Sequence, residues 1–226
     1  MRIKVKIIQH NNLSLLVYDK LKSMILLKQL HPGQKIIQDV LAEQMGVSRT
    51  PLRQALQMLE SEFLVESIPR KGMAVKDIGL KDIIDVYDCR EGLECVAVRL
   101  AAGRATPARV SGLREMFALF SENIESADPD RYTEADMTFH NALLELSENE
   151  FLVRMFRKSN LLLQIRRIGL VRPPKETLPE HMAIINALSA GDPEMAEREM
   201  KAHLRRSRNL IEKSLPLSKP GSSTMF

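Results

Sequence analysis

Only five histidines occur among the 226 residues, and three of them, His140, His181 and His203, fall in a stretch of helical apolar spacing. Asp136 and His140 stand four residues apart, so on a helix their carboxylate and imidazole share one face and can reach one cation. His181 and His203 lie 22 residues apart with Gly191-Asp192-Pro193 almost midway. Antiparallel helices joined at that turn set the two imidazoles opposite each other. One oxygen and three nitrogens are thereby brought together, a ligand set suited to a divalent transition metal. Zn²⁺ is the first expectation and Ni²⁺ or Mn²⁺ also suit it, because without sulfur the donors separate these ions weakly. A metal centre with an open position also describes hydrolases and oxygenases, so a metal-dependent enzyme is the alternative reading.

A second group of residues is suited to binding a polyanion. In Ser48-Arg49-Thr50-Pro51 the serine is a helix cap and Arg49 lies on the first turn. Arg53, one turn later, projects from the same face. Arginine forks match the acceptor edges of bases, and the hydroxyls of Ser48 and Thr50 can donate to phosphates at the positive end of a helix. Arg70 and Lys71 lie in the turn Pro69-Arg70-Lys71-Gly72, where they can reach flanking backbone. Charge agrees with this placement: residues 1–78 hold 12 basic against 7 acidic side chains, and residues 79–226 hold 21 against 22. The surplus that attracts an anionic partner is confined to the first third.

The elements that must carry these residues follow from periodicity. Residues 14–30 have helical apolar spacing through Leu15, Leu16, Tyr18, Leu21, Met24, Ile25 and Leu27, ended by His31-Pro32-Gly33. A short extended piece at 35–37 precedes a helix over 39–45, stopped by Gly46. The Ser48-capped helix, with Leu52, Ala55, Leu56 and Leu59 as its buried stripe, runs to about Glu60. Extended stretches at 63–68 and 72–76 flank the basic turn as a hairpin does. Helix, helix, tight turn, capped helix and basic hairpin describe a winged helix-turn-helix whose second helix enters the major groove of double-stranded DNA. Beyond Leu80 the spacing predicts six long helices, at about 80–103, 107–127, 130–147, 150–169, 175–190 and 192–213, separated by turn residues and helix-starting prolines.

The stretch LHPGQKIIQDVLAEQMGVSRTPLRQALQMLESEFLVE resembles the N-terminal domain of the GntR family of bacterial regulators over about residues 14–76. The most specific piece, GVSRTPLRQAL at 46–56, matches the family's operator-contacting positions at Ser48, Arg49, Thr50 and Arg53. Two residues depart from the pattern. Asp39 stands where some relatives have a DNA-contacting arginine, and Phe63 stands where glycine is usual before the wing. Residues 80–213 resemble the FCD ligand-binding domain of the family's FadR-like branch. The quoted pieces are DMTFH at 136–140, EH at 180–181 and AHL at 202–204, and a count of six helices points to the VanR-like subset. The resemblance implies a metal held by Asp136, His140, His181 and His203. It also implies that Arg90, in YDCREGLE, points into an effector pocket and holds a small carboxylate by a bidentate contact. The other reading of Arg90 is an i, i+4 salt bridge with Glu94 on a solvated face. Arg166, Arg167 and Arg172 are further candidates for the pocket or an interface.

The expected fold is therefore mostly α: a winged helix-turn-helix with a small β-hairpin wing over residues 1–76, an all-α six-helix bundle over 80–213 for ligand binding and dimerisation, and a mobile tail over 214–226. Hydrophobic residues at 44% and charged residues at 27% suit a folded soluble chain, and no apolar run approaches a membrane span. The N-terminal MRIKVKIIQHNN lacks an apolar core and a cleavage site, so a cytoplasmic location is expected. Cys89 and Cys95 have a spacing that suits neither a disulfide nor a metal knuckle and are read as packing residues. Nucleophile motifs, phosphate-binding glycine loops and cofactor signatures are absent from the sequence. The expectation is a homodimeric operator-binding regulator, a repressor rather than an activator, with a small organic acid as effector and no enzymatic activity.

Overall fold

The computed structural model describes residues 11–121, 124–159, 162, 164 and 171–214. The described residues fall into two compact units, one of 11–78 with 158–159 and the other of the remainder from Gly79 onward.

The first unit holds α1 (Asn11–Leu26), β1 (Lys35–Ile36), α2 (Gln38–Gln44), α3 (Arg49–Ser61), β2 (Val65–Ile68) and β3 (Gly72–Val75). Its sheet is antiparallel in the order β1, β3, β2, with Lys35 opposite Ala74, Val65 opposite Val75 and Ile68 opposite Gly72. The core combines Val17, Leu21 and Ile25 of α1 with Leu52, Ala55, Leu56 and Leu59 of α3 and with Leu64, Val65, Ala74 and Val75. This corrects the expected apolar stripe of α1, because Leu15, Leu16 and Leu27 remain exposed. The buried face follows Ser14, Val17, Leu21 and Ile25, the i, i+3, i+4 row that α3 covers. The helix also ends earlier than His31: Lys28 takes a φ of 56°, and the Gln29 N–H donates to the Met24 carbonyl at 2.8 Å.

Phe63 sits in the turn after α3 with a φ of 59°, in the left-handed region, and its side chain is exposed. The residue that departs from the family's glycine has therefore kept glycine's backbone. That conformation costs an L side chain about 1–2 kcal/mol, while glycine's extra freedom in the unfolded chain returns about 0.4–1 kcal/mol. Phe63→Gly is expected to stabilise the first unit by up to about 1 kcal/mol, read as a rise in its urea midpoint. An unchanged or lower midpoint shows that Phe63 makes a compensating contact.

The second unit consists of α4 (Leu80–Ala102), α5 (Pro107–Glu115), α6 (Ala118–Ser121), a 3-10 turn (Ile124–Ser126), α7 (Pro129–Leu146), α8 (Glu150–Lys158), α9 (Pro174–Ala190) and α10 (Pro193–Ser214). Helix α4 packs along α10 and against α7, and α9 packs on α10, α5 and α4. The prolines and caps act where expected: Asp128 accepts from the Asp130 N–H at 2.9 Å, and Pro129 opens α7. Gly191, at a φ of 63°, turns the chain from α9 into α10. One expected helix is divided. The described residues within 107–127 form α5, α6 and the 3-10 turn because the chain breaks at Met116 and Phe117, which carries the Phe117 ring into the core. Of the helix expected over 150–169, the described part is Glu150–Lys158. Leu162 and Gln164 are also described, both buried, whereas Arg166 and Arg167, nearly all of the expected tail and the part of the chain on which the six-helix count turns lie outside the described residues. Cys95 is buried as expected, but Cys89 is exposed. No helix among the described residues is long and apolar enough to cross a membrane.

Candidate functional site

Asp136 and His140 of α7, His181 of α9 and His203 of α10 meet inside the second unit. One potential ligand atom from each lies within 4.8 Å of the others. The hairpin through Gly191 sets the His181 and His203 rings 4.7 Å apart, and the His140 and His203 rings are 5.4 Å apart. The histidines are buried, while the Asp136 side chain keeps 20% of its exposure.

Each imidazole is oriented through Nδ1 by a different partner. His140 Nδ1 bonds Glu94 Oε2, and His203 Nδ1 bonds Glu180 Oε2 at 2.8 Å. His181 Nδ1 lies 3.2 Å from the Tyr132 hydroxyl, which is 2.8 Å from Thr177 Oγ1. Thr177 Oγ1 also lies 3.4 Å from the Pro174 carbonyl, so Thr177, Tyr132 and His181 form one buried chain of hydrogen bonds. Glu94 and Glu180 are carboxylates and accept, so Nδ1 of His140 and of His203 carries the proton and Nε2 of each keeps the lone pair. The buried Nε2 atoms of His140 and His181 have no hydrogen-bond partner. Asp136 Oδ1 lies 3.1 Å from His181 Nε2 and 3.8 Å from His140 Nε2 without bonding geometry. Buried nitrogen lone pairs left unpaired at hydrogen-bond cost fit a divalent ion on Asp136, His140, His181 and His203.

Electrostatics keep these groups in coordinating form. Burial pushes His181 down and takes His203 to about 3, so their imidazoles are neutral at pH 7. Burial alone would raise Glu94, but the Arg90 guanidinium and His140 outweigh it and hold the carboxyl at about 2. Glu180 is held at about 2 in the same way, by His203 and Arg172.

Arg90 makes the i, i+4 contact with Glu94, but the pair is buried and not on a solvated face. Its Nε donates to Glu94 Oε1 at 2.5 Å and its Nη2 to Oε2 at 3.4 Å, and both residues are 2% exposed. Arg172 serves the other side. Its Nη1 donates to Glu180 Oε1 at 2.8 Å, its Nη2 bonds Glu180 Oε2, and its Nε donates to Ser207 Oγ at 3.1 Å. Sequence reasoning missed Glu94 and Glu180 as supports, together with Tyr132, Thr177 and the rings of Phe117 and Phe139, 4.8 and 4.9 Å from His181. Glu180 left a signal in the EH pair at 180–181, and Glu94 in its i, i+4 spacing from Arg90. Successive residues of a helix point about 100° apart, so Glu180 serves His203 and not its neighbour.

The first unit presents the other set. Ser48 has extended N-cap dihedrals, yet its side chain makes no capping bond, which departs from the expected cap and leaves the hydroxyl to another partner. Ser48, Arg49, Thr50 and Arg53 are exposed on the side of α3 opposite the buried Pro51, Leu52, Ala55, Leu56 and Leu59. Arg49 Nε lies 2.6 Å from Asp39 Oδ1. Arg70, at a φ of 64°, and Lys71 are exposed at the tip of the β2–β3 hairpin.

Comparison with known proteins bears on both units. Residues 13–75 match the family model described as bacterial regulatory proteins, gntR family, and residues 85–206 match the FCD domain. A protein named for regulation of the L-lactate dehydrogenase operon in Escherichia coli (strain K12) is 33% identical over 217 residues, covering 83% of this chain and 82% of its own. The HTH-type transcriptional regulator LutR of Bacillus subtilis (strain 168) is 32% identical over 200 residues, covering 78% and 90%. The solved structure of E. coli McbR/YncC superposes with a TM-score of 0.67 at 25% identity, covering 90% of this chain and 98% of that one.

Proposed function

The chain belongs to the GntR family of bacterial regulatory proteins with an FCD domain, and on that premise we propose that it is a homodimeric repressor released from its operator by a small organic acid. It is a DNA-binding regulator, and as such it works in the bacterial cytoplasm. In this reading Ser48, Arg49, Thr50 and Arg53 read the major groove, and Arg70 and Lys71 hold the flanking backbone.

The observation that carries the sensor part is the convergence of Asp136, His140, His181 and His203, with buried Nε2 atoms that no hydrogen bond satisfies. A divalent ion held by these four residues, Zn²⁺ first and Ni²⁺ or Mn²⁺ as alternatives, supplies a Lewis-acid position for a carboxylate oxygen. Charge favours an anion there. Arg90 pairs with Glu94, Arg172 and Arg206 both bond Glu180, and Asp136 offsets only one of the ion's two charges, so the site keeps a positive charge that suits a carboxylate. Arg90 turns Nε and Nη2 to Glu94, and we assign Nη1 to the effector's carboxylate. That the relative in Escherichia coli is named for an L-lactate dehydrogenase operon agrees with an organic-acid effector.

The test is fluorescence anisotropy with a duplex selected by the protein from a randomised pool. Arg49→Ala and Arg53→Ala are each expected to weaken binding by about 1–3 kcal/mol, the worth of a bidentate base contact, with folding unchanged. A panel of monocarboxylates is expected to release wild-type protein and to fail on His181→Ala. Unchanged affinity in both well-folded arginine variants excludes α3 as the reader, and release that is indifferent to His181→Ala excludes the metal centre as the sensor.

A further inference from the structure

Asp39 and Arg49 form an ion pair that stability does not account for. Asp39 lies in the first turn of α2 and Arg49 opens α3, and the Arg49 Nε to Asp39 Oδ1 distance is 2.6 Å. The two side chains keep 63% and 72% of their exposure. Pairs so exposed contribute little to folding. A carboxylate beside the helix end that approaches phosphates also repels DNA, so its benefit must lie with Arg49.

The engaged atom indicates what that benefit is. Nε is the guanidinium nitrogen nearest the carboxylate, so the ion pair draws the inner edge of the fork to Asp39 and leaves Nη1 and Nη2 as the outer pair. That pair matches the O6 and N7 acceptors of guanine, and an arginine held for it no longer spends its time on neighbouring phosphates. We propose that Asp39 is a positioning residue for sequence discrimination, holding the Arg49 guanidinium so that Nη1 and Nη2 meet a guanine in the major groove. The inference rests on α3 being the DNA-reading helix and adds to it the base class that Arg49 selects.

The experiment compares full-length wild type, Asp39→Ala, Asp39→Asn, Arg49→Ala and the Asp39→Ala/Arg49→Ala pair. Each is titrated with the wild-type-selected duplex and with a random-sequence duplex at one salt concentration. Asp39→Ala is expected to lower the ratio of selected to random affinity about tenfold, within the range for one misread base pair, while random-duplex affinity holds or rises because a negative charge is gone. Asp39→Asn, which keeps shape and an acceptor, falls between. Its melting temperature and that of Asp39→Ala are expected to match the wild type. In the Arg49→Ala background Asp39→Ala leaves the ratio unchanged, and reselection with Asp39→Ala yields sites degenerate at one guanine per half-site. If Asp39→Ala moves both affinities in parallel while Arg49→Ala still weakens the selected duplex, the positioning role is overturned and α3 remains the reader. If Arg49→Ala leaves the selected affinity unchanged, the reading helix and the inference built on it fall together.

Discussion

The metal-stripped protein is expected to melt about 8–16 °C below the loaded protein in the transition of its second unit, and added Zn²⁺, Ni²⁺ or Mn²⁺ to restore the difference. The size follows from linkage. A ligand that binds only the folded state, present at about 1,000 times its dissociation constant, adds about 4 kcal/mol. Each kcal/mol moves the midpoint of a chain of this length by about 2–4 °C. The donors exist together only in the fold: Asp136 and His140 share α7, while His181 and His203 come from α9 and α10 across the Gly191 turn. Their Nδ1 atoms are already fixed by Glu94, Tyr132 and Glu180, so little ordering remains to oppose binding. Elemental analysis is expected to find about one divalent ion per chain, and His181→Ala or His203→Ala to lose it while retaining operator affinity, because both residues belong to the second unit. A protein without metal, whose melting ignores chelator and all three ions, returns these histidines to ordinary core residues.

The convergence of Asp136, His140, His181 and His203 was legible because each rests on local periodicity. Asp136 and His140 need only a helix, and His181 and His203 need only two helices and a turn, which glycine and proline mark at 191 and 193. Their supports were not legible, because Glu94 reaches His140 across 46 positions and Tyr132 reaches His181 across 49. No spacing rule couples residues on helices that meet only through tertiary packing. The same limit explains Arg90: its i, i+4 relation to Glu94 was plain, but whether that face of α4 meets solvent or α7 is decided by the bundle. In the first unit the winged helix-turn-helix order followed from breakers and stripes, whereas the early end of α1 and the left-handed Phe63 depend on what packs around them. A divided helix at Met116 and Phe117 was missed because Phe117 also satisfies helical spacing and is turned inward by the aromatic cluster around His181.

Glu94→Ala is expected to destabilise the metal-free second unit by about 3–5 kcal/mol, the cost of leaving a buried charge without its partner. Arg90 is 2% exposed and turns two guanidinium nitrogens to Glu94, so the substitution strands a cation that water does not reach. The same carboxylate orients His140 through Nδ1, and losing such a support typically weakens metal affinity by 10- to 100-fold. The two effects separate in a second variant. Replacing both members, as Arg90→Met with Glu94→Leu, removes the stranded charge and fills the space with apolar atoms, so stability is expected to recover most of the loss. Metal affinity is not expected to recover, because His140 still lacks its carboxylate. Urea unfolding of the stripped proteins reads the first quantity, and competition with a chromophoric chelator reads the second. A Glu94→Ala protein within about 1 kcal/mol of wild type shows that Arg90 finds another partner or reaches water. A double variant that regains full metal affinity shows that Glu94 balances Arg90 alone and has no part in orienting His140.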